Sequence, residues 1–438
     1  MFNKTIYFSI AILTSSLVLA DTMNLPLAYD SVSKHPDVVE KVNEVSLKAL
    51  DIDVILAEDD YKINLSTQSK MPLIYDVDSS RLNDVESSYL NGVVTLKKTI
   101  YDFGAVKYKV QSEETKKRIL EIEHRQVYER TLQKLLGTAN DINRLNTLIV
   151  NLEQTISVTE NTIDEIRLRF TSGIGTIMNV RQAQLLLLDL ETETETLRRE
   201  LNAKFSILRE EFKIPSTQLV YLQDVVKCFD HKLFEGEQDV NNVLKSNTLS
   251  YERSKTLINL EKNALKSQIK NIRASDKPRI EVFLTGVVFD ILKGFNQYEV
   301  YSGVNLTMPL YDGGLGDTKQ SSLNYQIKIQ DDLVAALNQS KSLKLNKLIR
   351  QFQELEIENK NAVLTVENLS EKLSQIEQRL AVVDEGLLTK LQTKLQLAKS
   401  NRILLAYPYY VSAMNIDYWA LNERLLEKMD FQPLLQYR

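Results

Sequence analysis

Long stretches of this chain space their apolar residues three and four apart, and short stretches of strict alternation interrupt them. The longest run is Tyr128, Leu132, Leu135, Ala139, Ile142, Leu145, Ile149, Leu152, Ile156, Ile163, Ile166 and Phe170. It advances 42 residues in 12 steps, one of them skipped. A period of 3.5 marks a coiled-coil seam rather than one face of a globular helix. The seam predicts a continuous helix from Ala105 to Phe170, on the order of 100 Å long. Gly137 falls inside it, a tolerated glycine at about 1 kcal/mol relative to alanine. Helical spans of 34 residues over Asp37 to Lys70 and 38 over Thr176 to Lys213 together roughly match the 66 of the long helix. Two shorter helices end to end can therefore lie antiparallel to one long one. A second long helix is expected from near Asp317.

The alternating stretches read as strands with one dry and one wet face. Val304, Leu306 and Met308 alternate with Gly303, Asn305 and Thr307. Val94, Leu96 and Ile100 alternate with Val93, Thr95 and Thr99, and Lys98 interrupts the apolar side. Ile280, Val282 and Leu284 form a third run. Leu73, Tyr75 and Val77 form a fourth, with Pro72 and Pro278 at first strand positions, where no ladder N–H is lost.

The two sets of elements come from an internal duplication. Leu96 to Gly104 ends Tyr101-Asp102-Phe103-Gly104, and Leu306 to Gly314, offset by 210 residues, ends Tyr311-Asp312-Gly313-Gly314. These are the expected strand-to-helix turns, with Gly104, Gly313 and Gly314 supplying unusual dihedrals. The expected organisation is a first repeat over 21–214, with a hairpin at about 72–101 and a tip turn at about 170–176. A linker follows over 215–238, and a second repeat over 239–438 has its hairpin at about 278–311.

Composition then narrows the reading. Residues 1–20 carry Lys4, an apolar run of 14 residues from Ile6 to Leu19, and a small-residue site for cleavage between Ala20 and Asp21. The run falls below the roughly 20 residues that span a bilayer, so it reads as a removable signal peptide. No later stretch is apolar enough to cross a membrane as a helix, which leaves strands as the only means of insertion. The net charge of -5 gives no reason to expect nucleic acid. Cys228 is alone, so no intrachain disulfide forms.

At this point the chain resembles the TolC-like family of outer-membrane efflux and secretion channels. The resemblance rests on the duplication, on Leu27 to Pro36 as an opening helix, and on the paired Tyr-Asp-x-Gly strand exits. It rests also on Arg169 to Thr176 as a helix-tip turn, followed by Val180 and Gln182-Ala183-Gln184. It implies a mainly α protein whose long antiparallel coiled-coil helices form a periplasmic α-barrel. Two β-hairpins per protomer would contribute to a trimeric 12-strand transmembrane β-barrel in the outer membrane. The residues themselves require only a closed barrel, which a dimer, trimer or tetramer would each supply. The resemblance also implies a homotrimer that meets outer-membrane lipid, a periplasmic adaptor and an inner-membrane pump of ABC or RND type. At the tip it makes Arg169, Phe170, Gly173, Gly175, Thr176 and Asn179 candidates for gating and adaptor docking. A second tip is expected between Gly386 and Ala406, with Gly386 and Ser400-Asn401-Arg402 competing for it.

No constellation points to catalysis, a cofactor or a metal. Asp102-Phe103-Gly104 spells a kinase signature without its companions. Asp312 to Asp317 misplaces the Asp of a calcium nonapeptide. Cys228 and His231 are two ligands short of a zinc site. The acidic run from Asp189 to Glu195 reads as a solvated helix face, and in a tunnel wall it would lean toward cations. The expected function is a passive exit duct for efflux or type I secretion. The alternative is a periplasmic coiled-coil adaptor or a structural protein of the cell envelope, although no lipoyl-like module or anchor is visible.

Overall fold

The seams and alternations become seven helices and four strands in the computed structural model, which describes residues 28–70, 89–215, 252–289, 297–380 and 386–428. After a short helical segment at 28–33, the order is α1 (Pro36–Asp59), β1 (Lys62–Lys70), β2 (Tyr89–Tyr101), α2 (Ala105–Thr171), α3 (Ile177–Glu210) and α4 (Glu252–Ser275). Then come β3 (Arg279–Val288), β4 (Tyr298–Thr307), α5 (Leu315–Leu380), α6 (Leu387–Leu421) and the single turn α7 (Leu425–Lys428). The segments form two units. The helical unit comprises Met1–Lys41, His124–Arg253 and Leu337–Arg438, and the strand-bearing unit comprises Val42–Glu123 and Ser254–Ala336. Each unit draws on both halves of the chain.

The α2 seam is the spine of the helical unit. Leu132, Leu135, Ala139, Ile142, Leu145 and Leu152 are fully or almost fully buried. The skipped step belongs to Thr159, which is buried and donates its hydroxyl to the Thr155 carbonyl at 2.7 Å. The seam thus keeps its register through a side chain that satisfies itself within the helix. Gly137 sits in uninterrupted helix with open space where a Cβ would lie. One core cluster joins the seam to Tyr29, Val32, Leu208, Phe212, Ile214 and Ile416. A second packs Leu152, Ile163 and Ile166 against Val180 and Ala183 of α3 and Leu387, Leu391 and Leu395 of α6.

In the strand-bearing unit the four strands form one antiparallel sheet in chain order, β1-β2-β3-β4. The helix expected over Asp37 to Lys70 stops at Asp59, and Lys62–Lys70 is a strand. The first hairpin therefore enters at Lys62 rather than near 72, and the expected strand at Leu73, Tyr75 and Val77 lies outside the described residues. The physical reason is pairing. Ile63 and Leu65 stand opposite Leu96 and Val94, while Lys62, Asn64 and Ser66 stand opposite Lys97, Thr95 and Val93. Continued helix would have left the β2 edge unpaired. The second hairpin follows the expected pattern: Pro278 precedes β3, and Tyr298 opens β4. Tyr311 lies beyond the end of β4, in the exit turn. Within the unit, α1 meets α2 through Lys48–Glu113, and α4 meets α5 through Lys262–Asp331. Burial of Glu113 is outweighed by Lys116 and Lys48, so its carboxyl is held below the usual range.

Candidate functional site

Register sorts the sheet into two unlike faces. One carries Ile63, Leu65, Val94, Leu96, Val282, Leu284, Val300, Val304 and Leu306. Seven of these, Ile63, Leu65, Val94, Leu284, Val300, Val304 and Leu306, are exposed large hydrophobics, and Val304 is 68% exposed. The other face carries Lys62, Asn64, Thr95, Lys97, Thr99, Glu281, Thr285, Asn305 and Thr307, with Phe283 and Tyr301 among them. Here polar groups satisfy one another: Arg279 donates to the Thr99 hydroxyl at 2.5 Å and pairs with Glu281 at 3.1 Å. Among the described residues, β1 and β4 each leave one edge without a partner strand. A contiguous apolar face of this kind is a candidate surface for meeting lipid or a partner.

Lys98, which interrupts the apolar alternation, sits at the helix-bound end of β2. Its ammonium lies 3.0 Å from Asp60 Oδ1 and 4.8 Å from the centre of the Tyr61 ring. The ladder shifts register between Thr99 and Tyr101, which leaves Ile100 unpaired and sets Tyr101 opposite Ile280.

The two strand exits are the same turn built twice. Asp102 accepts from the Gly104 N–H at 2.9 Å and the Val106 N–H at 2.7 Å. Asp312 accepts from Gly314 at 2.9 Å and Gly316 at 2.6 Å. Each carboxylate clamps the start of a long helix, where backbone N–H groups have no partner of their own. Those N–H groups, Gly316 first and Gly314 next, hold the Asp312 carboxyl below its usual range. Both turns place two successive residues at positive φ, Phe103 at 54° and Gly104 at 84°, Gly313 at 71° and Gly314 at 78°. Phe103 bears that conformation without being glycine. Its ring stacks edge-on with Tyr101 at 4.7 Å, under the Lys277 ammonium at 5.2 Å.

The tip turn closes α2 onto α3 by ordinary helix-end chemistry. Ile174 N–H reaches the Arg169 carbonyl at 2.8 Å, and Gly173 lies at φ +81°, the arrangement of a Schellman stop. Gly175 takes φ +97°. Thr176 then caps α3, accepting the Asn179 N–H at 3.3 Å. Neither glycine has a neighbour where a Cβ would lie, so backbone conformation alone requires them. The turn exposes Leu168, Phe170, Ile174, Ile177 and Met178, while Arg169 and Asn179 are half-buried.

Gly386 is the residue that opens the last long helix, at φ 143°, with its carbonyl taking the Lys390 N–H at 2.8 Å. Ser400, Asn401 and Arg402 lie inside α6, and Ser400 and Arg402 are buried. Arg402 reaches Glu193 at 2.9 Å, and Glu195 pairs with Arg199 at 3.6 Å, so part of the acidic run is neutralised. Sequence reasoning had no signal for the Arg402–Glu193 pair, whose members are far apart in the chain.

A buried ionic group ties the helical unit together. Arg253 donates to Glu129 and to the Glu423 carbonyl, both at 2.7 Å, and Lys341 meets the Glu423 carboxylate at 2.6 Å. Burial pushes the Glu129 carboxyl up, against the pull of Arg253 beside it. Among the described residues no cluster of three or more His, Cys, Asp or Glu could hold a metal, and no helix is long and apolar enough to cross a membrane. Cys228, His231 and the Ala20–Asp21 junction lie outside the described residues.

This architecture, with its long seams and its four-stranded sheet, is the fold of known outer-membrane channels. The outer membrane protein VceC of Vibrio cholerae is similar with a TM-score of 0.74 at 12% identity, over 92% of this chain and 96% of that one. The CmeC outer membrane channel of Campylobacter jejuni gives 0.71 at 10% identity, over 92% and 86%. The open-state MtrE channel of Neisseria gonorrhoeae gives 0.71 at 12% identity, over 92% and 89%. No protein-family sequence profile matches the chain, and no curated protein matches it in sequence. The fold class expected from the seams and hairpins is the one observed.

Proposed function

We propose that this chain is one protomer of a homotrimeric exit duct of the outer membrane, a passive conduit that carries cargo past the periplasm. The observation that carries the reading is the sheet. Its apolar face is bare, its opposite face is polar, and among the described residues both edges lack partner strands. Lipid accepts the first face, water the second, and only neighbouring copies can close the edges. Exposed apolar positions on α5 add support, since Ile329, Leu343, Ile357 and Leu364 are separated by multiples of seven residues. Residues seven or fourteen apart share one stripe of a helix, a row that a neighbouring helix could cover. The apolar run before Ala20 and Asp21 fits export from the cytoplasm.

In this reading the duct opens when an inner-membrane pump, of ABC or RND type, docks through its adaptor, and the pump supplies the energy. The first tip is the proposed contact. Arg169, Phe170, Gly173, Gly175, Thr176 and Asn179 shape a rigid turn ringed by exposed apolar side chains, which suits docking and closure. The deciding experiment is fractionation of cells expressing the full chain. The expected product sediments with outer membranes as a heat-labile, SDS-resistant oligomer. Recovery as a soluble, folded monomer would overturn the proposal.

A further inference from the structure

Lys62 and Lys97 are direct partners across β1 and β2, so two ammonium groups stand side by side on the polar face. Both are exposed, and neither has an ion-pair partner among the described residues. Of the two acids the register puts on that face, Glu281 is held by Arg279 at 3.1 Å and Glu299 stands two same-face rungs from Lys97 in the register. Asp60 is taken by Lys98, on the opposite face. Like charges placed directly opposite each other weaken a strand pair, so nothing local rewards this arrangement. Beside Lys97 in the register stands Phe283. Its ring fills the space over Gly303, where any Cβ would come within 2.7 Å of it. The ring thus lies across the β4 backbone rather than standing away from the sheet. Tyr301 meets it edge-on, with centroids 6.2 Å apart.

We propose that Lys62 and Lys97, with Phe283 and Tyr301 beside them, form an anion-selecting girdle on the water-filled side of the strand barrel, suited to organic anions with an aromatic body. This rests on reading the polar face as the lumen of the proposed duct. Two lysines from each copy set a positive ring, and the flat aromatic pair offers the apolar part of such a cargo a surface. The sign is opposite to the cation preference that the acidic helical run suggests, so the two parts of the chain would favour opposite charges.

The test uses the purified full-length chain in planar bilayers under a potassium chloride gradient. Wild type is compared with K62Q/K97Q and with the charge-preserving K62R/K97R, each first shown to form the same SDS-resistant oligomer. The chloride-to-potassium permeability ratio is expected to fall at least about threefold in K62Q/K97Q, and to be kept in K62R/K97R. 1-Naphthoate is expected to reduce the chloride current of wild type more than acetate does, and K62Q/K97Q should lose that difference. A conducting K62Q/K97Q channel with wild-type permeability ratio and wild-type response to 1-naphthoate overturns the girdle and leaves the duct standing. Oligomers that conduct in no variant overturn the duct reading itself, and the girdle with it.

Discussion

Asp60 Oδ1 accepts from two donors at once, the Tyr61 N–H at 2.8 Å and the Lys98 ammonium at 3.0 Å. The acceptor closes α1, and the second donor interrupts the apolar row of β2, so one oxygen ties the end of the helix to the neighbouring strand. Lys98 and then the Tyr61 N–H hold the Asp60 carboxyl below its ordinary range. Replacing Asp60 with alanine strands a cation at the border of an apolar face. D60A is expected to lower the temperature at which the SDS-resistant oligomer dissociates. D60A/K98M should recover most of the loss, because the methionine continues the apolar row. A heating series on gels compares the three proteins, and equal dissociation temperatures would count against the border role.

Val304 and Asn305 are adjacent and both exposed in the protomer, yet they lie on opposite faces of β4. A lysine at each therefore separates the two faces experimentally. V304K puts a charge on the face proposed to meet lipid, at about 2–4 kcal/mol near the bilayer midplane, and should deplete the protein from the outer-membrane fraction. N305K adds a charge facing water and should leave that fraction unchanged. Equal depletion by both would mean that the faces are assigned wrongly.

At the tip, G173A and G175A each force a Cβ onto a positive φ with no clash around it. The cost is about 1 kcal/mol per site, confined to the turn. Faster amide exchange is expected over 169–179, with global melting unchanged. In bilayers the double variant should show higher resting conductance than wild type. A double variant with loosened exchange and unchanged conductance would show that this turn does not close the duct.

The buried pair Glu129–Arg253 predicts an asymmetric response. R253A leaves a carboxylate buried without its guanidinium and should cost about 3–5 kcal/mol, whereas E129L/R253M should cost far less. The pH dependence follows from the raised Glu129 carboxyl. The folded state binds that proton more tightly than the unfolded chain, so this site adds stability as pH falls from the raised value toward the ordinary glutamate range. The gain is lost again as pH rises through the raised value. E129Q should remove that slope from a urea-denaturation series measured across pH, and a slope unchanged by E129Q would refute the assignment.

The helices were legible because a seam of period 3.5 has few other structural uses. α2 begins at the expected Ala105 and ends one residue past the expected Phe170. β2, β3 and β4 were legible from alternation alone. β1 was not, since Ile63 and Leu65 are its only large apolar residues and the preceding helix pattern ran straight toward them. What decides it is a partner strand, and pairing of that kind lies outside any local window. The tip turn could be read from its glycines, because positive φ has a residue-level signature. The second tip could not, as Ser400 and Arg402 resemble turn residues until Arg402 is seen buried against Glu193. The Glu129–Arg253–Glu423 group was equally hidden, drawing on segments more than a hundred residues apart.

The duplicated exit turn has one more consequence. Asp102 and Asp312 hold the same pair of N–H groups, two and four residues on, so both long helices are launched from the sheet by interchangeable joints. In a ring of three copies, the wall therefore has twice as many equivalent launching points as it has chains.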